Sequence, residues 1–422
     1  MAHLRDRRAF GNIGTRKFRG ARFGDPLSPR FSGLLDQYGG AAAAYSLRAL
    51  STGWLAGDVV EVRRSSDSTS DTFTAGQITN GDLVDFVNTK WSDTASSDNT
   101  ADWTIIDGTI AFDTDKYVLT YSAATQWAFI NQPPDLIPNA EVVFSVDVKS
   151  GTGGDVDVSA GASQAGSNQL VQLMGTSSSV WQTLTATYNA SAITFDNPSI
   201  LFALTSGNIE FKNFTVTQKI DGFVSTWYDQ SGNANNATQA TTTKQPKIVS
   251  AGALVVGGLD FDGTDDSLGA NAVAASFTGT DQPLSAFAVG TVDVSKAHYL
   301  WTLGNSTNDT SFMGAGENSG PYRAIERDET ATLVNISGGT FSSESLVTYI
   351  TTGNQRELFA DGASIISDST NLAAKAFDQF QVGRLLRTTA AGYWNGKIST
   401  VVLYDSDQTA NRVGIEAIIN AL

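Results

Sequence analysis

The sequence predicts an all-β protein made of two antiparallel sandwiches, closed by a short C-terminal helix. Three observations predict it. Short runs alternate apolar and polar residues, as in Glu141–Val148 (EVVFSVDV), Trp181–Tyr188 (WQTLTATY) and Ile209–Val216 (IEFKNFTV). Period-two alternation puts every second side chain on one face, as in half-buried strands. Turn formers separate these runs throughout, with 40 glycines and abundant Thr, Ser, Asn and Asp in 422 residues, the texture of sandwiches and barrels. Helical periodicity is clearest at the end, where Val413, Ile415, Ile418, Ile419 and Leu422 form an apolar stripe behind Ser406 or Asp407 as the cap. A short helix is also expected in the alanine-rich run Gly40–Leu50.

From the N-terminus, the first element is an arm. Residues 1–31 carry eight Lys/Arg against Asp6 and Asp25, a net charge of +6, whereas the remaining 391 residues carry 19 basic and 41 acidic groups, a net of −22. The arm has four glycines, two prolines and no sustained period, so it reads as an extended attachment segment over residues 1–32. Arg5, Arg7, Arg8, Arg16, Lys17, Arg19 and Arg22 would meet an acidic partner surface, with Phe10, Phe18 and Phe23 as anchors. The acidic bulk would repel phosphate, which excludes a nucleic-acid binder. No run approaches the ~20 apolar residues of a membrane span, and Met1–Arg8 leads into no apolar segment, so neither a span nor a secretion signal is expected. Without cysteine, and with His3 and His298 as the only histidines, disulfides, thiolate nucleophiles and multi-histidine zinc sites are excluded. Any catalysis would rest on carboxylates.

A resemblance enters at Leu34–Leu50 (LLDQYGGAAAAYSLRAL) and Val59–Asp67 (VVEVRRSSD), and continues at Gly222–Gln239 (GFVSTWYDQSGNANNATQ), Gln245–Ile248 (QPKI) and Gly258–Leu268 (GLDFDGTDDSL). Together these segments resemble the catalytic-domain family of fungal-type α-L-arabinofuranosidases, and more closely its relatives in bacteriophage tail and virion proteins. The resemblance implies a concanavalin-A-like (laminin-G-like) β-sandwich. Arg356–Gly362 (RELFADG), Phe380–Arg384 (FQVGR) and Tyr393–Ile398 (YWNGKI) resemble the strand–turn–strand run near the end of such domains. The match covers residues 33–90 and 219–422. Family members run almost directly from a segment like Asp82–Val87 to one like Asp221–Trp227; here roughly 130 residues intervene. Domains insert at exposed loops because their chain ends often lie close together. Residues 91–218 are therefore read as an inserted jelly roll, loosely similar to carbohydrate-binding modules.

The resemblance also bears on chemistry. Retaining glycosidases place a nucleophilic carboxylate and an acid ~5–5.5 Å apart. In the resembled enzymes the nucleophile follows a Gly-His-Met-like run; the nearest segment here is Asp309–Asn318, with Glu317 displaced. Their acid is an Asp in a Gly-Gly-Asp-Asn turn, whereas Val382–Tyr393 holds no carboxylate. Catalysis is expected to be lost and the scaffold kept.

What remains is recognition. A pyranose face stacks on an aromatic ring, which makes Trp127, Trp301, Tyr322, Tyr393 and Trp394 the candidate glycan platforms. Asp260, Asp262, Asp265 and Asp266 are hard oxygen donors in one turn, a candidate Ca²⁺ site. The competing reading has Leu259 and Phe261 facing inward and the carboxylates facing water. By the same alternation Val60 and Val62 belong to the core, and Glu61 and Arg63 to the outside.

The expectation is a virion structural protein (fibre, spike or surface appendage) made in a bacterial cytoplasm. Its arm would bind other virion proteins, and its sandwiches would bind host-surface glycans without cleaving them. A homo-oligomer, by analogy with phage appendages a trimer, is expected. Two rival readings stay open. A glycan depolymerase would bring together carboxylates among Glu317, Glu326, Asp328 and Glu329. A purely architectural decoration protein would have no ligand groove.

Overall fold

The computed structural model describes residues 32–422, except 107, 122–125, 131–140, 162–170, 190–198, 203–206, 281 and 342. The basic arm, with Arg5, Arg7, Arg8, Phe10, Arg16, Lys17, Phe18, Arg19, Arg22 and Phe23, lies outside the described residues.

A large sandwich takes up the two ends of the described chain. One of its sheets runs in antiparallel steps through Ala363–Asp368, Gln355–Ala360, Glu344–Thr352, Leu284–Thr291 and Asn395–Tyr404. The free edge of Asn395–Tyr404 is shared: its first half pairs with Leu259–Asp262, its second with Ala43–Ser46. The other sheet runs from Ser70–Thr74 through Asp58–Arg64, Gly222–Trp227, Ala237–Thr238, Leu268–Gly269, Gln379–Val382 and Ala297–Gly304. It continues through Phe312–Asn318 and Tyr322–Arg327 to Leu333–Gly338. Lys247–Ser250 pairs with both Gly222–Trp227 and Leu259–Asp262, which joins the sheets at one corner.

The filling follows from alternation. Val60 and Val62 are buried while Glu61 and Arg63 are not, and Leu259 and Phe261 point inward. Trp227, Trp301 and Trp394 are fully buried in the same core; truncating an indole in such a site costs about 3–5 kcal/mol.

Strands between 89 and 218 form two sheets of their own. Val171–Thr176, Asp157–Gly161, Ser199–Phe202, Gln126–Ile130 and Trp103–Ile106 make one. Gln182–Asn189, Glu141–Ser150, Asn208–Gln218, Lys116–Tyr121 and Gly108–Asp113 make the other. Burial alternates without a break along Glu141–Ser150, as its sequence requires. Phe144, Phe202, Phe211 and Phe214 fill the space between the sheets. The buried Asp93 accepts from Trp103 Nε1 (3.1 Å), Tyr117 Oη (2.7 Å) and Ala95 N (2.8 Å), which anchors the entry to this unit. Thr89–Asp93, entering it, pairs with Asn208–Gln218, leaving it.

Two helical expectations are corrected. The alanine run is a strand, Ala43–Ser46, buried along its whole length and bonded to Thr400–Leu403. Helix propensity differs by at most about 0.7 kcal/mol among ordinary residues, too little against an open sheet edge that needs partners and admits small side chains. The terminal helix is Arg412–Ile419 with Asn411 at its N-cap, rather than Ser406 or Asp407. Asp407 instead accepts from Thr409 N in the preceding turn. Ile415 and Ile419 are buried, but Val413 is exposed. This helix rests on the short helix Leu34–Gln37 and the ring of Tyr38 that follows it. Gly414 makes the approach possible, since a Cβ there would sit 2.0 Å from Tyr38 Oη.

Candidate functional site

The segment that carries the family resemblance, Tyr228–Asn236, is a set of stitches. Asp229 is 1% exposed. Its Oδ1 accepts from Ala44 N and Ser231 N, both at 2.9 Å, and its Oδ2 from Ser231 Oγ (2.7 Å) and Asn235 N (3.0 Å). Gln230 accepts from Leu50 N and donates to the carbonyls of Ser46 and Arg48. Asn233 and Asn235 both donate to the Ala42 carbonyl. The motif thus fastens the 41–50 strand and turn to the second sheet, a structural role that its buried, acceptor-rich chemistry suits.

Immediately after these stitches the chain walls a groove of about 420 Å³. Asn235, Asn236 and Gln239 form one side, Asn271 the end, and Gln379, Gln381 and Arg384 the other side. Strand pairing assembles it: Thr238 lies opposite Gly269, and Gly269 opposite Gln381. The buried Gln381 donates to Asn271 Oδ1 (3.2 Å) and accepts from Arg384 Nε (3.0 Å). Asn236 Oδ1 is taken by Asp229 N (3.0 Å), which leaves its amide N–H groups without partners among the described residues. The Gln379 side chain likewise has no partner there. Amides that can both donate and accept suit hydroxyl-rich ligands.

Sequence reasoning passed over these residues. The amide-rich run Asn233–Gln239 and the Gln379/Gln381 alternation were the available signals, but only strand pairing brings them together.

The aromatic candidates fare otherwise. Trp301 and Trp394 are 0% exposed and Tyr322 is 4% exposed, which corrects their reading as sugar platforms: no ring face reaches solvent. Their surfaces are spent on packing. Trp394 stacks on His298 with ring centroids 4.1 Å apart, and Tyr322 meets Phe341 at 4.9 Å. Tyr393 is half-buried and lines no described groove; the side chain of Trp127 lies outside the described residues. An aromatic not singled out, Trp181, is 37% exposed with Lys212 Nζ 4.7 Å from its ring centroid.

The carboxylates a depolymerase would use are engaged separately. Glu317 is buried against His298 Nε2 (2.6 Å) and also accepts from Gly320 N (2.6 Å) and Ser295 Oγ. His298 Nδ1 accepts from Asn395 N (3.0 Å), so its proton sits on Nε2. Burial pushes the His298 imidazole down to about 4, against the pull of Glu317. The fully buried Glu326 is held by Arg356, Lys375 and Tyr349 Oη. Asp328 accepts from Ala373 N, Thr332 N and Thr330 Oγ1, and Glu329 is exposed. None of the four lines the groove.

In the acidic turn, Asp262, Asp265 and Asp266 each bring one carboxylate oxygen within 4.8 Å of the others; Asp260 stands outside the trio. Internal hydrogen bonds hold the turn and do not use every carboxylate oxygen of the trio. Asp262 Oδ1 is occupied by the N–H groups of Thr264 and Asp265, Asp266 Oδ2 by Asp262 N, and the Gly263 carbonyl by the Lys296 ammonium. Not all four carboxylates face water, because Asp266 is buried. Burial pushes its carboxyl up to about 7, with the Asp262, Asp265 and Asp260 charges adding to the rise.

No protein-family model and no curated protein matches the chain. Among solved structures it is similar to the CBM40 module of a Ruminococcus gnavus IT-sialidase, at 15% identity over 38% of this chain and 92% of that one, with a TM-score of 0.31. It is also similar to Trypanosoma rangeli sialidase (14% identity, 47% of this chain, 31% of that one, TM-score 0.36). A third is the CBM22-1–GH10 portion of Clostridium thermocellum endo-1,4-β-D-xylanase 10B (19% identity, 31% and 28%, TM-score 0.26). These likenesses are partial and assign no activity. By its own sheets, the chain is an all-β protein of antiparallel sandwiches with a short C-terminal helix.

Proposed function

We propose that this chain binds glycans without cleaving them, and that the amide-lined groove of the large sandwich is where it does so. The observation that carries the reading is the groove itself: a concave, polar recess whose Asn236 and Gln379 side chains keep open hydrogen-bonding capacity, with no carboxylate in its walls. A glycosidase needs two carboxylates across the scissile bond, and here the candidates are taken up elsewhere in the sandwich. Binding would rest on hydrogen bonds to sugar hydroxyls, weak per site and strengthened by copy number. Profiling on a glycan array, followed by calorimetry with the best ligand, tests it. Asn236→Ala and Gln379→Ala should each weaken binding by about 5–13-fold, as expected for about 1–1.5 kcal/mol per lost hydrogen bond. Unchanged affinity in both variants, or release of reducing sugar by the parent protein, would overturn it.

The finer reading, a bacteriophage virion appendage held by its basic arm, rests on the sequence resemblance and on the charge contrast between the arm and the rest of the chain. A chain of residues 33–422 should then bind glycan normally but fail to join the particle. Incorporation without the arm would refute that part alone.

A further inference from the structure

We propose that the groove selects acidic saccharides, with Arg384 receiving the sugar carboxylate; the inference rests on the glycan-binding reading above. Arg384 is the one charged side chain in the groove wall, and no Asp or Glu joins it there. Some arginines of the sandwich have acids at hand, as Arg64 has Asp67, Arg356 has Glu326 and Arg412 has Glu416, whereas Arg48, Arg63, Arg323 and Arg327 donate to neutral oxygens. Arg384 has no ion-pair partner among the described residues. What sets Arg384 apart is its place: it lines a groove with no acid in its walls, in a body with a net charge of −22 beyond the arm.

The guanidinium is also aimed. Its Nε donates to Gln381 Oε1 at 3.0 Å, and Gln381, only 3% exposed, is pinned in turn through Nε2 to Asn271 Oδ1. One hydrogen bond therefore orients the guanidinium plane from below. Nη1 and Nη2 have no partners among the described residues. Two parallel N–H groups on one planar edge match the two oxygens of a carboxylate, and the pre-set plane reduces the ordering cost of the contact. Asn236 and Gln379 stand ready for the ring hydroxyls of the same residue. Two oxygens of a sulfate ester could also meet this edge, and the matched pairs below tell the two anions apart.

The test uses the full chain and matched saccharide pairs: sialyllactose against lactose, tetragalacturonate against its methyl ester, and a sulfated against an unsulfated galactan oligosaccharide, each measured by calorimetry. The expected result is at least tenfold tighter binding of a carboxylated member than of its neutral partner. Arg384→Gln should abolish that preference, so that the carboxylated and neutral members of each pair bind alike. Arg384→Lys, which keeps the charge but loses the fork, should lose most of the preference. Both variants should melt with the parent, since Arg384 is only half-buried. Equal binding of carboxylated and neutral members, retained preference in Arg384→Gln, or preference for the sulfated member alone would overturn the acid assignment and leave the glycan reading standing. No binding of any member would overturn both.

Discussion

Replacing Asp229 by Asn is the most direct test of whether the YDQSGN segment is scaffold or ligand site. The carboxylate collects four donors: three backbone N–H groups and the Ser231 hydroxyl. An amide of the same shape offers one accepting atom and one donating atom. In the orientation that keeps Ala44 N and Ser231 N satisfied, the new NH₂ faces Asn235 N. The Ser231 hydroxyl can rotate to accept, but the Asn235 N–H cannot. The flipped amide moves the conflict to two N–H groups, which is worse. One buried unsatisfied donor plus the loss of charge assistance costs about 2–3 kcal/mol, and a sandwich of this size then melts roughly 4–10 °C lower. Asp229→Ala orphans all three N–H groups and should cost about 3–5 kcal/mol. Thermal unfolding followed by circular dichroism reads both. A melting point within 1 °C of the parent, with saccharide binding lost, would refute the structural assignment and make Asp229 a ligand group.

Three further outcomes follow from the same geometry. Glu326→Gln removes the acid shared by buried Arg356 and Lys375; it should cost about 3–5 kcal/mol, whereas a catalytic Glu326 would tolerate the change in stability assays. Asp266 has a folded-state pKa above its unfolded one, so its contribution to stability declines as pH rises from about 4 to about 7. Asp266→Asn should accordingly raise the melting point by a few degrees at pH 8 and leave it unchanged near pH 4, and equal effects at both would refute the assignment. His298 is shifted the opposite way, so its contribution is complete above about pH 6.5 and lost as pH falls toward 4. Of the chain's two imidazoles, one should show no ring-proton titration by NMR above pH 5. Two midpoints near 6.5 would contradict the buried neutral histidine.

What the sequence disclosed was whatever depends on neighbours in the chain. Alternation in Glu141–Ser150 read correctly because a strand half-covered by a core must repeat every two residues. The capping box of Thr74 and Gln77, which opens the helix Ala75–Asn80, was equally local, although it went unread. The alanine strand was misread because its fate depends on an edge 350 or more residues away, not on its own propensity. The aromatics were misread for a related reason: an indole that fits a stacked site beside His298 gains more from burial than from waiting for a sugar. The groove was least legible. Asn236, Asn271 and Gln381 are strangers in sequence, and two short strand pairings make them neighbours.

The ribbon formed by Thr89–Asp93 and Asn208–Gln218 carries a consequence for the order of assembly. The large sandwich needs Arg64 to pair with Gly222, which closes a loop of roughly 160 residues in an unfolded chain. Once Trp91 has met Val216, the free chain between those strands shrinks to roughly 30 residues, and two halvings of loop length recover about 1.3 kcal/mol of closure entropy. Pairing within 89–218 is also the more local in sequence, and local contacts form first. The smaller sandwich therefore acts as an internal clamp for the larger. Mutations that only slow its collapse should delay maturation of a sandwich they never touch, with no change in that sandwich's final stability.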